Sequence, residues 1–521
     1  MPRSSVATVL LLSSCALTAA SSTQWKTQCL SLQTSLYLEN TTILNTTYIA
    51  APTNITTPGI CRSTAPVTSA PLCRVEFVIN TTSTSAVHGE AWLPDTWYGR
   101  FLGLGNGGLG GCVDYVALDY GSSLHFASLG TDNGHDGGGG ADPGDAHQFL
   151  NHPEVIADYA WRAVHVEAVI GKQIVQAYYG KATAKSYFLG CSTGGRQGTQ
   201  AALKFPDDFD GILGGAPAVN FNHLLGWAGM ISRYFGAPSS PPEASPKWLT
   251  PDLWALVTAE ILRQCDDLDG VVDGIITEPD ACGFRPEYLQ CTSGQTTGCL
   301  TPIQVEALKN LYSPLYGLRG QLLYPRFSPG AEADSVGTAL SPGFFPFTSD
   351  WERFVILNVT EHDFSTFGLE DIELFDKQNA AGIDTFSGDL SAFRNRGGKF
   401  LTYHGRRDPL ISSTNSKRMY DLIAHTLALP LLDDFYRLFL VPGMGHCGGG
   451  LGANAFGQGT LPGQNAVNAS SHNILLALVD WVEHGVPPAT IVGSGVDGSV
   501  RTHCRYPQRS VFSGKVFVCA D

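Results

Sequence analysis

Apolar residues interleaved with polar ones mark three early strands: Arg74 to Asn80, Ser85 to Leu93 and Phe101 to Gly105. Turns at Pro94-Asp95 and Tyr98-Gly99 punctuate them. Ala157 to Tyr179 reads as a long helix. The run Ser186-Tyr187-Phe188-Leu189 is continuously apolar, as a strand buried on both faces should be, and Arg196 to Phe205 reads as the helix after it. Asp210 to Pro217 has the look of the next parallel strand and its exit turn. Regular alternation is then lost. From about Asn220 to Gly397 the chain is rich in Pro, Trp, Phe and Asp and carries four cysteines. The rhythm resumes with a strand at Lys399 to His404, a helix at Thr414 to Thr426, a strand at Phe435 to Val441 and a helix at Asn473 to Gly485. Residues 21 to 70, rich in Ser, Thr, Asn and Cys with little periodicity, are expected to form an irregular glycosylated cap. The simplest organisation is one α/β sheet with a large insertion, free of repeats and low-complexity linkers.

Composition adds a compartment. Arg3, the apolar run Val6 to Leu12 and Thr18-Ala19-Ala20 together form a secretory signal, with cleavage expected after Ala20. The apolar run is too short to span a membrane, and no later segment is long enough, so a soluble secreted protein is expected. Of the 13 cysteines, Cys15 lies in the signal; the even remainder in an exported chain points to disulfides. Six N-x-S/T sequons, at Asn40, Asn45, Asn54, Asn80, Asn358 and Asn468, fit the same compartment. The formal net charge of −15 disfavours nucleic acid as a partner.

Within this framework two cysteines each sit beside a residue suited to acyl transfer. Gly190-Cys191-Ser192-Thr193-Gly194 fits G-x-S-x-G, which places a serine on a tight strand-to-helix turn with its hydroxyl exposed. Pro442-Gly443-Met444-Gly445-His446-Cys447 follows a predicted strand. A hydroxyl needs a base to take its proton, and the base needs an orienting group. Ser192 is the candidate nucleophile, His446 the base, and Asp408, in His404-Gly405-Arg406-Arg407-Asp408-Pro409, the orienter. Asp433 and Asp434 are rival acids, but they precede a strand. The order Ser, Asp, His is that of α/β-hydrolases. G-x-S-x-G is common in glycine-rich sequence, and Asp408-Pro409 could be an ordinary turn. A cysteine beside each of two separately chosen candidates shifts the balance toward chemistry. If Cys191 bonds Cys447, nucleophile and base are stapled together. A zinc site at Cys191, His446 and Cys447 is the poorer reading, since adjacent His-Cys is poor ligand spacing.

An oxyanion hole needs backbone N–H donors. Thr193, after the nucleophile, is one; Gly107 is the expected second, from Gly105-Asn106-Gly107-Gly108, with Gly108 as the alternative. The glycines at 137 to 140 lack a phosphate-loop pattern. In the insertion, Asp266, Asp267, Asp269, Gly270, Val271, Asp273, Gly274 and Ile275 form a dense acidic loop that is not an EF-hand. It could wrap a hard cation; a solvated acidic loop fits the same residues.

With these residues in hand, the chain resembles the tannase and feruloyl esterase family of secreted serine esterases, from about Cys29 to Cys519. The marks are Cys191-Ser192, Asp408 and His446-Cys447, supported by Gly105 to Gly108, Asp132-Asn133-Gly134-His135 and the Asp266 to Ile275 loop. The resemblance implies an α/β-hydrolase fold with an inserted lid: a signal at 1–20, a catalytic domain at 21–217 and 398–521, and a lid at 218–397. It implies the triad, a Cys191–Cys447 bridge, and a structural calcium on the side chains of Asp266, Asp269 and Asp273 and the carbonyls of Val271 and Ile275. It further implies the bridges Cys29–Cys73, Cys61–Cys112, Cys265–Cys282, Cys291–Cys299 and Cys504–Cys519. The expected activity is hydrolysis of hydroxycinnamoyl esters of plant cell-wall sugars. A tannase acting on galloyl esters is the runner-up; a serine peptidase or an inactive cell-wall-binding homologue stands outside the class. A flat acyl group is expected in a slot of the aromatic-rich insertion, which carries Trp227, Tyr234, Phe235, Trp248, Trp254, Phe344, Phe345, Phe347 and Trp351. Most of these are expected in the lid core.

Overall fold

A computed structural model of the chain describes residues 22–57, 67–135, 146–459 and 467–521. The expected signal, Cys61 and the glycines at 137 to 140 lie outside the described residues. In chain order the strands are β1 (Thr41–Ile49), β2 (Leu72–Asn80), β3 (Ala86–Pro94), β4 (Arg100–Leu104), β5 (Ala127–Thr131), β6 (Lys185–Cys191), β7 (Gly211–Gly215), β8 (Leu315–Tyr316), β9 (Leu322–Tyr324), β10 (Lys399–Gly405) and β11 (Tyr436–Val441). Nine of them form one sheet, ordered β1-β2-β3-β5-β4-β6-β7-β10-β11. β1, β2, β3 and β5 run antiparallel to their neighbours in turn. From β5 through β4, β6, β7 and β10 to β11 every pairing is parallel. Parallel neighbours need crossover helices, which cover both faces. This is why β7 is buried at every position and β6 at all but its first. It is also why β6 reads as an unbroken apolar run in the sequence.

The topology sets the site's location. Ser192 follows β6, the Gly105 loop follows β4, Asp408 follows β10 and His446 follows β11. All four lie at the carboxyl ends of parallel strands, where open α/β sheets place their ligands.

β7 and β10 are direct neighbours, paired from Gly211 with Lys399 to Gly215 with Tyr403. The intervening chain leaves the sheet and returns beside its point of exit. It adds only the β8–β9 hairpin, outside the main sheet, and helices that include Phe221–Tyr234, Pro251–Cys265, Pro302–Leu311 and Leu369–Gln378. Two helix starts show why these segments fold locally. Thr250 accepts a hydrogen bond from Leu253 N–H, and Thr301 forms a capping box with Gln304; each is followed by proline at the first helical position. Trp227, Trp254, Trp351 and Phe375 are buried in the insertion. Cys265–Cys282 and Cys291–Cys299 cross-link it.

The irregular cap expected over residues 21 to 70 is corrected by the structure. Residues 22–35 are helical, and β1 is the outermost strand of the sheet. The Thr-rich segment that looked unstructured is β-branched and suits a strand. As an edge strand with one partner it buries few side chains, so its alternation is weak. Cys29–Cys73 ties the N-terminal helix to β2. β5 also escaped the reading: it is short and buried throughout, with no alternation to detect. Two C-terminal hairpins, Thr490–Ser494 with Val500–Cys504 and Arg509–Phe512 with Phe517–Ala520, are joined by Cys504–Cys519. Cys112 is disulfide-bonded; Cys61, its expected partner, lies outside the described residues. Among the described residues no helix is long and apolar enough to cross a membrane.

Candidate active site

Ser192 links the end of β6 to the helix Thr193–Lys204, with φ 63° and ψ −121°. A non-glycine residue there carries local strain, on the order of 1–3 kcal/mol, and persists only when its surroundings fix it. Here three backbone hydrogen bonds do so. Ser192 N–H donates to Gly215 O at 3.0 Å, and its own carbonyl accepts from Ala218 N–H at 3.0 Å and Arg196 N–H at 3.1 Å. The turn also requires backbone-to-backbone approach: a Cβ on Gly105 would stand 2.6 Å from Gly194 Cα. The helix begins at Thr193, three residues earlier than the sequence pattern indicated, because three glycines follow within six residues and dilute its periodicity.

Asp408 and His446 meet as expected. His446 Nδ1 donates to Asp408 Oδ2 at 2.8 Å. That leaves the Nε2 lone pair free of the carboxylate, the arrangement a general base needs. The other oxygen, Oδ1, accepts from Leu410 N–H at 2.8 Å and Ile411 N–H at 2.9 Å. Asp408 is buried. Burial alone would favour the neutral acid, but the charge of His446 and the hydrogen bonds from His404 and His446 outweigh it. The carboxyl is held well below the usual carboxylate range. Arg407 N–H donates to Met444 O at 3.0 Å, so the acid loop and the histidine loop are in direct backbone contact. The rival acids are engaged elsewhere: Asp433 pairs with Arg505 and Asp434 with Arg394.

Cys191 and Cys447 form a disulfide, with Cα atoms 5.9 Å apart and a sequence separation of 256. The serine turn and the histidine loop are therefore covalently joined one residue from each functional side chain.

An apolar slot opens at Ser192. Leu109, Phe221, Leu225, Phe345, Phe347 and Ile411 are among its walls, with Gly108, Ser192 and Thr193 at its floor. Of the two glycines considered for the oxyanion site, Gly108 lines the slot and Gly107 does not. Gly108 has φ +59°, and its carbonyl is drawn away by Tyr159 Oη at 2.9 Å and Thr193 Oγ1 at 2.8 Å. Thr193 N–H, at the first helical position, has no intrahelical acceptor. Of the aromatic residues singled out in the insertion, Phe345 and Phe347 reach the slot, while Trp227, Phe235, Trp254 and Trp351 are buried in the core.

The acidic loop is closed by Cys265–Cys282. Asp269 Oδ1 accepts from Val271 N–H at 3.0 Å, Asp273 Oδ1 from Ile275 N–H at 3.0 Å, and both Asp266 oxygens from Gly274 N–H at 3.1 Å. Asp273 is pushed above its ordinary value by burial, against the Ile275 hydrogen bond, and by the charges of Asp269 and Asp266. Asp266 and Asp269 are near enough for their charges to act on Asp273, and carboxylate oxygens are the donor type calcium takes. Among the described residues no three His, Cys, Asp or Glu side chains form a metal-holding group by themselves. A cation here also needs backbone carbonyls. The loop abuts the histidine loop: Cβ atoms on Gly443 and Gly452 would lie 3.3 and 2.8 Å from Ile275 Cδ1.

Two features escaped the sequence reading. His404, at the end of β10, has Nε2 3.2 Å from Asp408 Oδ2; its position four residues before the acid was the available signal. Slot residues Leu109, Phe221 and Ile411 lie just after expected catalytic loops or at the start of the insertion, outside the aromatic list.

Comparison with known proteins bears on both fold and chemistry. A protein of Aspergillus clavatus described as probable feruloyl esterase B is 42% identical over 528 residues, covering 99% of this chain and 98% of its own length. The crystal structure of feruloyl esterase B from Aspergillus oryzae superposes with a TM-score of 0.91 at 39% identity, over 95% of this chain and all of that one. A tannin acyl hydrolase from Aspergillus niger shares the fold at 20% identity and a TM-score of 0.75, over 95% and 94% of the two chains. The fold is that of the α/β-hydrolases. The family model for tannase and feruloyl esterase matches residues 73–520, a span that takes in the serine turn, the insertion between β7 and β10 and the paired acid and histidine loops; the chain belongs to that family.

Proposed function

We propose that this protein is a secreted serine esterase that hydrolyses hydroxycinnamoyl esters, such as feruloyl, caffeoyl and p-coumaroyl groups on plant cell-wall sugars. The observation that carries the reading is the meeting of three elements at the carboxyl ends of the parallel strands. A strained serine turn opens into an apolar slot, a buried Asp408–His446 pair stands at its side, and a disulfide joins the two. Relatives named feruloyl esterase B, similar along nearly the whole chain, support the substrate class.

In this reading Ser192 Oγ attacks the ester carbonyl while His446 Nε2 takes its proton. The negative oxygen is met by Thr193 N–H and Gly108 N–H. His446 then protonates the departing alkoxide, leaving an acyl-enzyme. Water, deprotonated by His446, attacks the acyl carbon, and Ser192 recovers its proton as the acid leaves. Asp408 keeps the proton of His446 on Nδ1 throughout.

The slot favours a hydroxycinnamoyl over a galloyl group. Among the described lining residues the only side-chain hydroxyls are those of Ser192 and Thr193, and Thr193 already donates to Gly108 O. Selecting a galloyl ring requires partners for three hydroxyls, and such partners discriminate only when the site is built around them.

Secretion is supported by the leader-like N-terminus and by the disulfides. All six sequon asparagines are exposed and available as glycan acceptors. Calcium, held by Asp266, Asp269 and Asp273 with the carbonyls of Val271 and Ile275, would neutralise these carboxylates and fix the loop.

The test of the reading is turnover of methyl ferulate by the wild type and by Ser192→Ala. The variant should fold and lose nearly all activity. Near-native turnover by the folded variant would overturn the mechanism.

A further inference from the structure

We propose that His404 is a positioning residue for the hydrolysis: it clamps Asp408 from the side opposite His446 and so sets how the acid presents itself to the base. The inference rests on the Ser192, Asp408 and His446 reading above.

A carboxylate offers about four hydrogen-bonding positions, two on each oxygen. On Asp408 all four are taken. Leu410 and Ile411 N–H groups hold Oδ1. His446 Nδ1 at 2.8 Å and His404 Nε2 at 3.2 Å share Oδ2. The protonation of His404 on this side follows from its surroundings. Nε2 faces two acceptors, Asp408 Oδ2 and, at 3.0 Å, Ile411 O. Neither can donate, so Nε2 carries the proton. Nδ1 lies 2.7 Å from Ser416 Oγ, whose hydroxyl can donate to it and fix the ring. His404 is buried, and its contacts tie β10, the acid loop and the helix Thr414–Thr426 into one unit.

The backbone bonds to Oδ1 fix one oxygen but leave the carboxyl plane free to swing about it. The bond from His404 removes that freedom. It also withdraws charge from the oxygen that His446 uses. Both effects act through Asp408, because His404 does not itself line the slot and its hydrogen bonds are to Asp408, the backbone carbonyl of Ile411 and Ser416. A further ionisable group facing Asp408 is the hydroxyl of Tyr324, from strand β9 of the insertion. Burial and the charge of Asp408 keep it protonated by pushing its ionisation upward. Tyr324 therefore contributes no change of charge across the working range of a histidine.

The experiment compares His404→Leu and His404→Gln with wild type and Ser192→Ala, using methyl ferulate. Thermal unfolding is measured for each protein, and kcat and KM across the acid limb of the pH profile. Leucine fills the space without a donor; the glutamine amide can reach the position of Nε2. For His404→Leu, kcat should fall on the order of tenfold to a hundredfold with KM little changed, the scale of a small misplacement in an active site. The acid limb of kcat/KM should move to higher pH, since Asp408 then gives its whole charge to the His446 imidazolium. His404→Gln should restore both. A folded His404→Leu protein whose acid limb stays at the wild-type pH overturns the proposal, as does a glutamine variant no better than leucine. If His404→Leu does not fold, His404→Asn replaces it, since its amide stops short of Asp408; equal behaviour of Asn and Gln then overturns the proposal. Activity surviving in Ser192→Ala would instead sink the triad reading, a separate failure.

Discussion

Cys191 and Cys447 are covalently joined, so Ser192 and His446 each sit one residue from the same disulfide. β6 and β11, the strands leading to these residues, are not neighbours; β7 and β10 lie between them. The sheet alone therefore holds the two loops at a distance of three strand spacings, and the bridge spans what the ladder leaves open. The chain-entropy model gives about 5 kcal/mol for closing a loop of this length, as an upper figure. The Cys191→Ala, Cys447→Ala double variant should melt at lower temperature and show lower kcat on methyl ferulate. Non-reducing peptide mapping that found either cysteine free would remove the basis for the prediction.

Replacing Asp408 with Asn tests orientation separately from shape. The side-chain oxygen can still accept from Leu410 and Ile411 N–H, but the amide presents a donor to His446 Nδ1. The imidazole must then turn or carry its proton on Nε2, which cannot accept from Ser192. Loss of kcat by roughly four orders of magnitude is expected, with KM changed far less. A loss of less than tenfold would argue that another acid orients His446.

The contrast between what could and could not be read from the sequence has a physical basis. β6, β7, β10 and β11 are buried on both faces, so they appear as apolar runs, and the loops at their carboxyl ends carry the chemistry-bearing residues. Ser192, Asp408 and His446 are legible for that reason. β1 was not, because an edge strand of Thr and Asn buries little. His404 was not, because a histidine ending a strand looks the same whether it packs or hydrogen-bonds. Gly108 and Gly107 cannot be told apart without knowing which way each peptide turns. The slot is built from residues of the Gly105 loop, the acid loop and two parts of the insertion, and only the fold brings these together.

Glu332 supplies a stability test away from the slot. It is buried in the insertion, where Tyr312 Oη donates to Oε1 at 2.5 Å and Gly330 N–H donates to both oxygens. Burial outweighs these donors and raises the carboxyl to about 7. The folded state therefore holds a proton that the unfolded chain releases near pH 4.5. The contribution of Glu332 to stability is full below that pH and is lost as pH rises toward about 7, by on the order of 3 kcal/mol. In Glu332→Gln the fall in melting temperature between pH 5 and 7 should be smaller than in the wild type. Parallel wild-type and variant curves would show that Glu332 does not titrate in this range.

The acidic loop should couple stability to catalysis. Ile275 packs over Gly443 and Gly452, on either side of His446 in sequence. From the neighbouring segment, Asp280 pairs with Arg406 at 2.8 Å and Glu278 with the same arginine at 3.3 Å, just ahead of Asp408. A bound calcium stabilises the folded state by mass action, and its removal should loosen both catalytic loops. Chelation should lower the melting temperature and reduce kcat, and Asp269→Ala should abolish the response to calcium in both. Protein purified without chelators should carry about one calcium per chain by elemental analysis; metal-free protein with full activity would rule the coupling out.

Substrate choice follows from the walls of the slot. Phe345 and Phe347 come from the insertion, Leu109 from the Gly105 loop and Ile411 from the acid loop, so the walls beside Ser192 are apolar. An apolar slot gains little from ring hydroxyls and cannot strongly reject a ring that lacks them. Methyl ferulate, caffeate and p-coumarate should therefore give kcat/KM values within about tenfold of one another, and methyl gallate should be clearly poorer. The gallate ring is joined directly to its carbonyl. Attack by Ser192 holds that carbonyl at the floor, so the three hydroxyls of gallate are drawn among the apolar walls, where each loses water without gaining a partner. The propenoyl arm of a hydroxycinnamate instead extends the ring further from Ser192. Phe347→Ala removes one wall and should raise KM for all three hydroxycinnamates, leaving the reactivity of Ser192 toward a small activated ester such as p-nitrophenyl acetate largely unchanged. A preference for gallate over caffeate would place the chain with the tannases and leave the mechanism at Ser192 standing.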